Sequence, residues 1–169
     1  MSEWADDIFD ALIAAGVRQT AYVPDMGHKR LIERCHADGR MTAVLLTTEE
    51  EGVALLAGAW LGGERGVLLM QSSGVGNTLN AVASLCIPYR TPIPMFINMR
   101  GGPGEFNIAQ VTMGRTTKPI LDLFGLVHFT FDDDHRMGEI LDGALKLCHA
   151  ARQPVALCLT RMLHGGKVA

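Results

Sequence analysis

Residues 66–70, Gly66-Val67-Leu68-Leu69-Met70, run on as small and apolar side chains without a polar break. A strand that does not alternate between apolar and polar is covered on both faces, and such strands belong to parallel sheets whose crossovers are helices. Strand-like stretches also occur at 20–23, 41–46, 93–98, 127–130 and 154–160, with helical patterns between them. The alternation carries no internal repeat and no linker, and 169 residues with 48% hydrophobic content suffice for one well-buried α/β unit but are few for two. The expectation is a single domain over 1–169 built as a doubly wound, six-stranded parallel sheet with helices on both faces.

Local punctuation fills in the elements. Trp4, Ile8, Leu12 and Ala15 recur at helical spacing over 3–15, and Gly16 ends that pattern. Pro24 stops the first strand, and Asp25-Met26-Gly27-His28-Lys29-Arg30 turns into a second helix that runs to about His36. Open α/β sheets bind ligands at the carboxyl ends of their strands, which makes His28 a candidate site residue and leaves Lys29 and Arg30 as solvated helix residues. Further helices are expected over 75–87 and 117–125, the first followed by Pro88. Asp132, Asp133 and Asp134 read as the N-terminal cap of the last long helix, and 163–169 reads as a loose tail.

Residues 47–80 concentrate the chemistry. Glu49, Glu50 and Glu51 follow an apolar strand at the start of a helix rich in small residues, where the positive end of the helix dipole favours carboxylate. A carboxylate in a partly dry site there can serve as a tuned proton acceptor. After the apolar run, Ser73-Gly74-Val75-Gly76-Asn77 offers either a tight turn or backbone N–H groups for a ligand. Residues 99–107 hold Gly101, Gly102, Pro103 and Gly104, a long loop of the kind that carries function. Arg100 opens it, with a planar guanidinium suited to a carboxylate, sulfonate or phosphonate, or to a structural ion pair.

Other classes of function are disfavoured. A net charge of -3 and no dense Lys/Arg run argue against a nucleic-acid partner. Cys35, Cys86, Cys148 and Cys158 lack CxxC spacing and read as reduced packing thiols. His135, His149 and His164 have no mutual ligand spacing, so no metal site is assigned to this chain. Neither a secretory leader nor a membrane-spanning stretch is visible, and cytoplasm is the expected compartment.

The order of parts resembles the pyrimidine-binding (PYR) domain of thiamine-diphosphate enzymes: a Glu after a strand, a small-residue helix ending near an aromatic, and a strand ending in Ser-Gly-x-Gly-x-x-Asn. This chain supplies the glutamates, then Ala57-Gly58-Ala59-Trp60, then Ser73-Gly74-Val75-Gly76-Asn77-Thr78-Leu79-Asn80. Val23-Pro24, the Glu-Glu-Glu-Gly run at 49–52, Met70-Gln71-Ser72-Ser73-Gly74, Arg100-Gly101 and the segment from Gln110 to Gly114 make it most similar to the sulfopyruvate decarboxylase alpha-subunit and phosphonopyruvate decarboxylase family.

The resemblance implies a decarboxylase that releases an aldehyde and CO2 from a short anionic 2-oxo acid. It also implies a catalytic glutamate at the pyrimidine ring of thiamine diphosphate. Glu50, the middle acid, is assigned that role because it aligns with Gly52 and Trp60; Glu49 and Glu51 are the alternatives. Cofactor binding is assigned to Glu50, Ser73, Gly74, Val75, Gly76 and Asn77, catalysis also to His28, and substrate binding to His28, Arg100 and Gln110. The Gly-Asp-Gly motif that holds Mg²⁺ and the diphosphate in that superfamily does not occur in this chain. A separate beta-type PP-domain subunit carrying it is therefore expected, with self-association as well. A carboligase using the same cofactor and a non-catalytic α/β binding module are the competing readings.

Overall fold

In the computed structural model, which describes residues 3–164, six strands form one all-parallel sheet in the order β2-β1-β3-β4-β6-β5. The strands are β1 Val17–Tyr22, β2 Thr42–Leu45, β3 Arg65–Gln71, β4 Pro94–Asn98, β5 Val127–Phe131 and β6 Val155–Leu159. The helices are α1 Glu3–Ala14, α2 Lys29–Ala37, α3 Glu49–Leu61, α4 Ser72–Ala81, α5 Ile108–Leu123, α6 Met137–Ala151 and the short α7 Arg161–His164. The expected fold class, strand count and strand direction all hold.

Each face of the sheet has its own core. α1, α2 and α6 bury Ile8, Phe9, Leu12, Leu31, Leu141 and Leu145 against Leu69, Phe96 and Leu157. On the other face α3, α4 and α5 bury Val53, Leu56, Val75 and Leu121 against Leu68, Met70 and Ile97. Residues 67–70 are fully buried because β3 sits mid-sheet and feeds alternate side chains to the two cores. All four cysteines lie in this packing as free thiols, and burial pushes Cys86 and Cys148 up to about 12.

Connectivity positions the site. The chain leaves β1 for α2 on one face and leaves the neighbouring β3 for α4 on the other. That switch opens a crevice at the carboxyl ends of β1 and β3, where doubly wound sheets receive ligands.

Three elements differ from the sequence-based expectation. α4 begins at Ser72, so Ser73 to Asn77 form its first turns and not a loop, and a π-helical turn, Val82–Cys86, continues it. α5 begins nine residues before the expected 117. Asn107 caps it by accepting from the Ala109 N–H at 3.1 Å, and Gly114 and the Val111 backbone pack against Arg100 and Gly101. Asp132 to Asp134 do not cap α6, which starts at Met137 behind Arg136 in the left-handed region (φ 59°). Asp133 accepts instead from the His135 N–H, and the Asp134 carbonyl accepts from the Met137 N–H, so the acids shape the preceding turn. Of the expected tail, Leu163 and His164 fall in or at the end of α7 and residues 165–169 lie outside the described residues.

Close packing of α3 on β3 depends on Gly66, where an added Cβ would strike the Leu56 side chain. Gly66→Ala is expected to cost about 1–3 kcal/mol in denaturant unfolding. Gly143→Ala, in open space on the exposed face of α6, is expected to gain up to about 1 kcal/mol.

Candidate functional site

α3 begins behind Thr48, whose hydroxyl accepts from the Glu50 N–H at 3.3 Å. Glu51 reaches back to accept from the Thr47 N–H at 2.8 Å, which completes a reciprocal cap. Three consecutive acids thus take three directions on the helix. Glu51 caps, Glu50 is exposed, and Glu49, only 6% exposed, turns inward on the stripe shared with Gly52, Val53 and Leu56.

Glu49 meets the first turn of α4. Its Oε2 accepts from Asn77 Nδ2 at 2.8 Å, and its carboxyl group lies so close to Gly74 that any Cβ there would collide with it. The acid packed on the Ser-Gly segment is Glu49, while Glu50, the acid assigned to the pyrimidine ring, is exposed at the same helix start in this single chain. The physical reason is helical phase: position 50 shares its face with Ala54, which is exposed, whereas 49 falls in line with the buried stripe.

The other predicted residues divide by what they offer. Gly74 and Val75 are buried, Ser73 is half-buried, and Gly76 and Asn77 are exposed. Val75 gives its side chain to the core, and its carbonyl accepts from Thr78 Oγ1 at 2.9 Å. Gln71 precedes the helix without a side-chain capping bond, so the leading N–H groups of α4 have no side-chain cap from it. Gln110 is half-buried in the first turn of α5, its N–H donating to Asn107 O at 3.0 Å.

Across the crevice, Asp25 gathers a buried cluster that the sequence did not reveal. It accepts from the Gly27 N–H at 2.8 Å, from Arg100 Nη2 at 2.9 Å and from the Asn98 side-chain amide. The Asp25 and Arg100 side chains are 4% and 17% exposed, so this is a largely desolvated ion pair. Burial pushes the Asp25 carboxyl up, but the Gly27 N–H, Arg100, Asn98 and His28 together outweigh it and hold the pKa below the usual value. Arg100 is thus in a structural ion pair, one of the two roles anticipated for it. Its own N–H also donates to Ser72 Oγ at 3.2 Å, tying the end of β4 to the start of α4.

His28 is fully buried beneath this cluster, and neither ring nitrogen has a hydrogen-bond partner among the described residues. Burial lowers its pKa to about 4, against the attraction of Asp25, so the ring is neutral at pH 7. His28, assigned to catalysis and substrate binding from the sequence, has no exposure in this conformation and packs in support of the turn. An exposed polar residue just after a strand looks the same in sequence as a buried one, which is why the turn hid it. For Asn98 a signal existed: it is the polar residue that ends the apolar stretch 93–97.

Two measurements probe these contacts. Gly74→Ala is expected to force Glu49 out of its seat and lower stability by about 1–3 kcal/mol, with the Asn77 amide resonances shifting in the NMR spectrum. A histidine buried in the neutral form has a folded pKa below its unfolded value. The unfolded chain then binds more protons between pH 6.5 and about 4, so stability falls as pH drops through that window. His28→Gln is expected to flatten the slope of unfolding free energy against pH there, by a few kcal/mol across the window.

A scan against models of known protein families returns no match. Curated proteins do match along most of the chain. The sulfopyruvate decarboxylase subunit alpha of Methanococcus maripaludis is 32% identical over 155 residues, covering 92% of this chain and 93% of that protein. The protein of the same name from Methanothermobacter thermautotrophicus is 35% identical over 150 residues, covering 86% and 91%. A phosphonopyruvate decarboxylase of Streptomyces viridochromogenes is 38% identical over 136 residues, 78% of this chain but 34% of that longer protein. Among solved structures, a 2-oxoglutarate:ferredoxin oxidoreductase from Magnetococcus marinus superimposes with a TM-score of 0.74 at 14% identity, covering 95% of this chain and 29% of that one, a likeness of fold. By identity and by coverage of both partners, this chain belongs to the sulfopyruvate decarboxylase alpha-subunit family.

Proposed function

We propose that this chain is the pyrimidine-binding, alpha-type subunit of a thiamine-diphosphate-dependent decarboxylase, which converts a short anionic 2-oxo acid of the sulfopyruvate or phosphonopyruvate class into an aldehyde and CO2. The observation that carries the reading is the acidic first turn of α3 at a sheet switch point, where Glu49 is held by Asn77 against the bare α-carbon of Gly74 and Glu50 stands exposed beside it. The donor set fits an aminopyrimidine ring: Glu50 offers one carboxyl group for a ring nitrogen, and a partner closing over it supplies the dry surroundings that keep the hydrogen bond strong. Thiamine diphosphate, when bound, supplies the carbon nucleophile and electron sink that decarboxylation of a 2-oxo acid requires.

What falls to this chain is orientation and proton holding. Glu50 is assigned as the group that shares a proton with the pyrimidine ring nitrogen, with Glu49 and Glu51 as the alternatives. Glu49 braces the helix end beside it: Asn77 fixes the Glu49 rotamer, and Gly74 leaves the space that carboxylate occupies. Ser73 and the backbone of Gly74, Val75 and Gly76 form the wall beside it. Arg100, immobilised by Asp25, and Gln110 are assigned to the substrate's anionic end. His28 supports the Asp25 turn from beneath.

The remaining half of the site is assigned to a beta-type partner that would carry the Gly-Asp-Gly motif with Mg²⁺ and the diphosphate. Support comes from coverage: the chain spans nearly all of proteins named subunit alpha, but about a third of phosphonopyruvate decarboxylase. Ala54, Gly58 and Leu61 expose an outer face of α3 suited to close packing with a second copy. Cytoplasm fits the four buried free thiols, and no described helix is long and apolar enough to cross a membrane.

The test is the assembled complex assayed against a panel of anionic 2-oxo acids for CO2 and free aldehyde. Glu50→Gln is expected to lower kcat by about 100-fold or more, and Glu49→Gln, at the bracing acid, to lower it by less than about tenfold. Equal effects at 49 and 50 would overturn the assignment, and a hydroxyketone product would mark a carboligase.

A further inference from the structure

A cavity of about 400 Å³ opens at the carboxyl ends of β4, β6 and β5, on the α5 side of the sheet. Four cationic side chains line it, Arg100, Arg115, Lys118 and Arg161, against one acid, Asp132. That concentration is notable in a chain whose net charge is -3. Arg115 and Lys118 stand three residues apart on α5 and so share one face, where like charges repel. Neither makes an ion pair or side-chain hydrogen bond among the described residues. The Lys118 ammonium lies near enough to lower the Cys158 thiol, although burial wins and pushes that group up to about 11. The lysine therefore reaches over β6. Arg161 donates to Gly104 O, which fixes the opposite wall, and Gly114 admits the Arg100 carbonyl where a Cβ would collide.

We propose that this cavity is a binding site for a small tetrahedral oxyanion group, a sulfonate, phosphonate or phosphate, with Lys118 and Arg115 as its principal ligands. An oxyanion held between them removes the repulsion on α5 and accepts several charge-assisted hydrogen bonds at once. Arg100 contributes less, because its Nη2 is already given to Asp25. The group has two possible sources, the acidic tail of the 2-oxo acid or a free inorganic anion. Binding itself does not depend on the decarboxylase reading; only the assignment to the substrate's tail rests on it.

Sodium sulfate and sodium phosphate titrated into the full isolated chain at constant ionic strength, followed by amide NMR, test the site. Saturable shifts at Gly101, Arg115 and Lys118 are expected, with Lys118→Ala and Arg115→Ala each weakening binding by about tenfold and leaving distant resonances in place. No saturable shift, or unchanged affinity in both variants, would overturn the proposal. In the assembled enzyme, a raised KM of Lys118→Ala for sulfonated or phosphonated 2-oxo acids, with pyruvate unaffected, identifies the substrate's tail. Inorganic phosphate or sulfate acting without competing with substrate identifies a free anion instead. An assembled complex without decarboxylase activity would sink the function proposed above and leave the NMR result standing.

Discussion

A glycine with nothing on its α-carbon lets a carboxylate occupy the space where a side chain would be. Gly74 and Glu49 are 25 positions apart in sequence, and their contact sets how near the first turn of α4 approaches the first turn of α3. Both helices point their N-terminal ends toward this spot, so two partial positive charges and the Asn77 amide face one acid. The acid is held by its surroundings, and its rotamer needs no ligand to define it.

On the far side of the crevice, Asp25 performs the corresponding task for the chain itself. The turn after β1 reaches across the end of β3 to Asn98 and Arg100 at the end of β4, joining strands that do not pair directly. Removing one partner of so desolvated a pair leaves a buried charge uncompensated, which makes the cluster a brace with little tolerance for change. Ser72, which receives the Arg100 N–H, links that brace to the helix carrying Gly74. Glu49 and Arg100 are thereby positioned through one continuous set of contacts.

The architecture was legible because it rests on patterns of several residues. Uninterrupted apolar runs, helical spacing between them and the switch from one face to the other are redundant signals, and losing one residue changes little. The site depends on phase and contact, which are not redundant. Telling which of Glu49, Glu50 and Glu51 turns inward needed the buried stripe through Gly52, Val53 and Leu56, a phase that three consecutive acids do not reveal. His28 illustrates a different limit: its place after β1 is plain, but its complete burial follows from tertiary packing of the turn on Asn98 and Arg100. α5 was underestimated because Gly114 and β-branched residues weaken helix propensity, and tertiary contact with the 99–101 segment overrides that.

Charge along the carboxyl edge of the sheet follows the strand order. Glu49, Glu50 and Glu51 stand after β2 at one margin, whereas Arg100, Arg115, Lys118 and Arg161 cluster beyond β4 and β6 toward the other. In the proposed reaction, a field with that gradient orients a dianionic 2-oxo acid before any contact forms, drawing its tail toward the cationic margin and away from the glutamates. The same polarity keeps the negative charge of that acid clear of the carboxylate assigned to share a proton. Reversing either end would set like charges against each other at the reacting centre, so the acidic and basic margins are two halves of one arrangement.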